Sequence, residues 1–127
     1  MRAVDPDAAK FPLYVHDGFD LDRFSQYLSS RHDFTVQDHH SYFVYTDSDR
    51  QESAVQHAQD VGNAVSSFLQ KASDQVHRNM IVGEYSCALT PESMAQNPDD
   101  GDQARKDFCG GQVDTYASRT GGWHFWC

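Results

Sequence analysis

The sequence predicts an α/β fold in which parallel strands alternate with helices. Three observations carry that expectation. Four short aromatic and aliphatic runs, each fit for a strand, are spaced along the chain with helical patterns between them. The run "NMIVGEYS" opens almost without polar residues, as a parallel strand buried on both faces does. Between about residues 51 and 73, Val55, Ala58, Val61, Val65, Phe68, Leu69 and Ala72 recur at intervals of three and four, which predicts one long amphipathic helix. Alternation of this kind implies right-handed crossovers. An open doubly wound sheet and a piece of a (β/α)₈ barrel both satisfy it.

Taken in order, residues 1–11 are polar and read as irregular. "FPLYVHDGF" (11–19) reads as a strand that stops at Asp17-Gly18. Residues 20–31 read as a helix capped by Asp20, with Leu21, Phe24, Tyr27 and Leu28 on one face. "FTVQDHHSYFVY" (34–45) reads as the second strand and "TDSDR" as a loop before the long helix. Residues 79–86 form the third strand, and "LTPESMAQNPDDG" a long loop. Residues 102–118 read as a helix carrying Ala104, Phe108, Val113 and Tyr116, stopped by Thr120-Gly121-Gly122. "WHFWC" is the fourth strand.

A chain of 127 residues suits one domain. The net charge of −9 argues against nucleic acid or an anionic membrane as partner, because both select basic surfaces. Acidity with 13% aromatic residues is compatible with carbohydrate, which stacks on rings and bonds to carboxylates. No apolar run reaches the roughly 18 residues of a membrane span, and MRAVDPDAAK lacks the apolar stretch of a signal peptide. Cys87, Cys109 and Cys127 show no CxxC spacing, which disfavours a zinc ribbon. They allow one disulfide with one free thiol, or three thiols.

In a parallel α/β sheet, ligands bind at the C-terminal ends of the strands. His16, Asp17, His40, Tyr42, Glu84 and Trp126 all stand at or near such ends. No GxGxxG or P-loop follows the first strand, so no nucleotide cofactor is expected. Glu84 is the leading candidate. A carboxylate closing an apolar strand is costly unless it is paired or used, and a strand tip is a rigid mount for a nucleophile or base. His40 and Tyr42, two apart on a strand, face the same way. Both can donate hydrogen bonds to a carboxylate, which favours the ionised form. "DHH" also invites a metal reading through His32, His39 and His40. Neighbouring histidines on a strand point to opposite faces, so no metal site is expected. Trp123 and Trp126 fall on opposite faces of the last strand. Trp123 reads as core and Trp126 as a stacking platform.

The ordered set "HHSYFVY", "IVGEYSCALTP" and "GGWHFW", with "PLYVHDGF" before it, resembles the C-terminal half of glycoside hydrolase family 5, in particular its fungal exo-β-1,3-glucanases. The likeness runs from about residue 4 to 127. It implies a single partial domain over residues 1–127, with the four strands as strands five to eight of a (β/α)₈ barrel. It implies retaining hydrolysis of β-glucans without a cofactor or metal, in a family that works in the cell wall or outside the cell. Glu84 matches the family's nucleophile, His40 and Tyr42 its His-x-Tyr, and Trp126 its substrate-stacking Trp. Phe19 and Tyr45 match aromatics at the pocket mouth, and Tyr85 stands where many members carry Trp. The family's acid/base, the Glu of an Asn-Glu-Pro motif on strand four, has no counterpart here. A half-barrel also has two open edges, so self-association is expected.

Overall fold

The structure, a computed structural model, describes residues 5–127. Four parallel strands, β1 (Leu13–His16), β2 (Thr35–Ser41), β3 (Met80–Tyr85) and β4 (Trp123–Phe125), form one sheet in the order β1-β2-β3-β4. A doubly wound sheet reverses its strand order at a switch point. This sheet does not reverse, so it is compatible with half of a barrel. Consecutive right-handed crossovers place the intervening helices on one face.

Helix α1 (Leu21–Leu28) starts at Asp20, whose side chain accepts from the Arg23 N–H as expected of the cap. The long helix expected over residues 51–73 begins only at Ala54 and then runs without a break to Gln75, with a π-helical turn inside it. Thr46 and Asp49 form a capping box that starts α2 (Asp47–Gln51), so the expected "TDSDR" loop is largely a helical turn. Glu52 and Ser53 are extended, and the Ser53 hydroxyl caps α3 (Ala54–Asp60). A π-helical turn, Val61–Val65, then leads into α4 (Ser66–Gln75). Residues 47–53 are polar throughout, so the apolar period begins only after Ser53, whose side chain caps the helix that follows. The segment after β3 is also less irregular than expected. Thr90 caps α5 (Pro91–Ala95), with Pro91 where its missing N–H costs nothing. Residues Pro6–Lys10 make a short 3₁₀ helix. Helix α6 (Gly101–Arg119) follows and ends at Thr120.

Leu28, Leu69, Ala72, Val76, Met80, Val82, Tyr85 and Tyr116 form the core between sheet and helices. Trp123 is not part of it. It is 38% exposed, because β4 is three residues long, pairs on one side only and is exposed throughout. A disulfide joins Cys87 to Cys109 on α6, and Cys127 is a free, exposed thiol.

The inner pair of strands carries an irregularity that bears on the site. His39 pairs with Val82 but His40 pairs with Glu84, so Gly83 is an extra residue in β3. Such bulges re-aim side chains and recur beside active sites. Glycine leaves room here for the Asp38 carboxylate, which a Cβ on residue 83 would displace.

Candidate active site

Because of that bulge, Glu84 stands directly opposite His40. The Tyr42 hydroxyl donates to Glu84 Oε2 at 2.9 Å, and His40 Nδ1 lies 3.3 Å from the same oxygen. Strand β2 ends at Ser41, so Tyr42 reaches Glu84 from the first residue past the strand and not from the pleat. Burial, and then the hydrogen bond to Glu84, push the Tyr42 phenol up to about 12. Tyr42 therefore stays protonated, and a donor, throughout the ordinary pH range. The Glu84 side chain remains 31% exposed, open to an incoming molecule.

Aromatic side chains gather round this carboxylate. The His16 and His40 rings lie 4.1 Å apart, and Phe19 meets His16 edge-on at 5.2 Å. Tyr45 packs edge-on against Tyr42 at 5.7 Å. Phe19, His40, Tyr42, Tyr45, Glu84 and Trp126 all line one cleft of about 840 Å³. The six residues that the family resemblance singled out thus gather round one cleft. Trp126, 60% exposed, follows β4 and is tied to β3 by its N–H, which donates to the Tyr85 carbonyl at 2.8 Å. Tyr85 turns away from the cleft into the core, edge-on to Tyr116 and Phe125.

A second polar station lies in the wall. Asp17, fully buried, accepts from Gln37 Nε2 at 3.2 Å and from the Phe19 N–H at 3.1 Å, and lies 2.7 Å from His39 Nδ1. Burial alone would raise this carboxyl. The hydrogen bond and charge of His39, with the bonds from Gln37 and Phe19, outweigh it and hold Asp17 below its usual value. The station fixes the β1–α1 turn, where Gly18 and Phe19 both have positive φ, 60° and 65°. Phe19 is aimed by it. Sequence reading placed Asp17 at a strand tip but did not pair it with His39. The signal was the period of two, which puts Gln37 and His39 on the face opposite Asp38 and His40.

The strand end behind Glu84 is anchored to α6. Gln112 Nε2 donates to the Ser86 carbonyl at 3.0 Å, and the Cys87–Cys109 disulfide follows one residue on. The Tyr116 hydroxyl bridges Ser41 Oγ at 2.9 Å and Gln112 Oε1 at 2.8 Å. The tips of β2 and β3 are therefore tied to one helix. Burial raises the Tyr116 phenol far above its ordinary value, keeping it neutral inside this network. Among the described residues, no group of three or more His, Cys, Asp or Glu side chains is placed to hold a metal ion.

Comparison with known proteins points to a glycosidase relationship. The chain is similar to glucan 1,3-beta-glucosidase 3 of Schizosaccharomyces pombe, with 31% identity over 134 aligned positions. The alignment takes in 98% of this chain and 26% of the relative, so the chain spans about a quarter of the curated protein it matches. No family model matches the chain.

Proposed function

We propose that this chain is the nucleophile-bearing half of a retaining β-glycosidase of the glycoside hydrolase family 5 type, a single partial (β/α)₈-barrel domain over residues 1–127 that acts on β-glucans. One observation carries the reading. Glu84, on a bulged strand tip, is held by Tyr42 and His40 in a cleft shared with an exposed tryptophan. In this chemistry a Glu84 oxygen attacks the anomeric carbon as the glycosidic C–O bond breaks. The leaving oxygen takes a proton from a second carboxyl about 5–5.5 Å away, which later activates the water that releases the sugar. His40 and Tyr42 orient the nucleophile, Trp126 stacks on the sugar, and Phe19 and Tyr45 form the mouth.

The second carboxyl must come from elsewhere. Among the described residues, the carboxylate lining the cleft besides Glu84 is Asp49, and its Oδ2 already accepts from the N–H groups of Tyr45 and Thr46. A general acid contributes about 10²–10⁴-fold, so this chain by itself should turn over β-glucan poorly. That same lack favours a second reading, a carbohydrate-binding remnant without catalysis. The Cys87–Cys109 disulfide supports a working place outside the reducing cytosol. Among the described residues no helix is long and apolar enough to cross a membrane.

The test is release of glucose from laminarin. The purified chain should be nearly inert. A protein restoring four preceding strands with an Asn-Glu-Pro segment should gain turnover, and Glu84→Gln should abolish it. Turnover by the restored protein that survives Glu84→Gln overturns the assignment of the nucleophile. Binding of laminari-oligosaccharides with no turnover in the restored protein selects the second reading.

A further inference from the structure

The cleft lining is of two kinds. Glu84, His40 and Tyr42 are polar. Leu21, Val65, Phe68 and Leu69, from α1, the π turn and α4, offer no polar side-chain atom. A sugar ring carries hydroxyl groups around its rim, and each one buried against such a wall would lose its hydrogen bonds. The volume of about 840 Å³ lies in the upper part of the ~300–1,000 Å³ range of small-molecule clefts, so the site accommodates more than one hexose.

Two features show that this wall is more than the outer skin of the core. Leu69 is buried, but its neighbour Phe68 remains 57% exposed. Val65 closes the π-helical turn Val61–Val65. Single π turns inside helices are rare and concentrate at functional sites. This one interrupts the helix where it borders the cleft.

We propose that the Leu21–Val65–Phe68 wall is a subsite for an apolar aglycone, so that the cleft takes a β-glucoside whose leaving group is alkyl or otherwise lipid-like. The inference rests on reading the Glu84 part of the lining as the sugar-binding end. The sugar's hydroxyls meet His40, Tyr42 and Glu84, and the apolar chain lies along Phe68 and Val65.

The experiment uses the 127-residue chain and needs no turnover. Methyl β-glucoside, hexyl β-glucoside below its micelle threshold, and 1-hexanol are titrated in turn and followed by NMR shifts. Each fully buried methylene is worth roughly fourfold in affinity, and partial burial of the five added ones should make hexyl glucoside at least about 30-fold tighter than methyl glucoside. Phe68→Ser should remove most of that gain and leave methyl glucoside binding unchanged. Val65→Thr should remove part of it, which keeps the test open if the first variant fails to fold.

Equal affinity for the two glucosides overturns the proposal. So does 1-hexanol binding as tightly as hexyl glucoside, because the wall would then act without the sugar end. Shifts at His40 and Glu84 with methyl glucoside but no hexyl gain sink this inference alone. No shift at His40 or Glu84 with any glucoside sinks the reading of the sugar end as well.

Discussion

The inner strands and the outer strands of this sheet are built differently. In β2 and β3, paired on both sides, Val36, Gln37, Ser41, Met80, Val82 and Tyr85 are buried, and both tips are tied to α6. In β1 and β4, paired on one side only, Leu13, Tyr14, Trp123 and Phe125 are exposed. The polar constellation sits on the inner pair, where the backbone is held most firmly. Among the described residues, the outer pair leaves apolar side chains beside unpaired backbone groups, which is the composition of an edge awaiting a partner strand.

The largest effect should come from the outer pair. We expect the isolated chain to self-associate through β1 and β4, giving a sedimentation mass that rises above the monomer with concentration. Leu13→Lys together with Phe125→Lys should restore the monomer, because charge on an edge blocks strand addition. A monomer at high concentration in the unaltered chain would remove the contrast between the two pairs.

The next effect tests the inner pair. Gly83→Ala forces Asp38 out of its place beside His40, whose Nε2 lies 3.7 Å from Asp38 Oδ1. Overpacking of this kind costs about 1–3 kcal/mol. Chemical denaturation should show that loss. Adding Asp38→Ala should recover much of it, because the two changes share one collision. Additive losses would mean that the bulge does not depend on this contact.

The smallest effect concerns the Asp17 station, which joins an outer strand to an inner one. Asp17→Asn should destabilise the chain by about 2 kcal/mol, the scale of hydrogen bonds to a buried charge. The carboxyl is lower in the folded chain than in the unfolded one. Its contribution is therefore complete above the unfolded value near 3.8 and is lost as pH falls through the folded value. Stability measured between pH 6 and 2 should drop less steeply in Asp17→Asn. An unchanged acid limb would show that Asp17 is not the group responsible.

The comparison also explains what was legible in the sequence. Strand identity, the parallel α/β class and the convergence of Glu84, His40 and Tyr42 followed from apolar runs and from where polar residues stop them. These are local signals. The π turn was hidden because Val55, Ala58, Val61 and Val65 keep a helical period through it, and the true start was missed because periodicity does not register the cap at Ser53. Val65 and Phe68 read as ordinary core positions for the same reason. Trp123 was misplaced because opposite faces of a strand imply one buried face only when something covers it. The Asp17–His39 pair and the choice of cysteine partners join residues 22 positions apart, which no local pattern encodes.

The disulfide makes residues 87–109 a covalent ring, with α5 and the first half of α6 inside it. A protease that cuts once within this ring does not divide the molecule. The nicked chain keeps Glu84 joined to α6, migrates as one species on a gel, and separates into two only after a thiol reductant opens the ring.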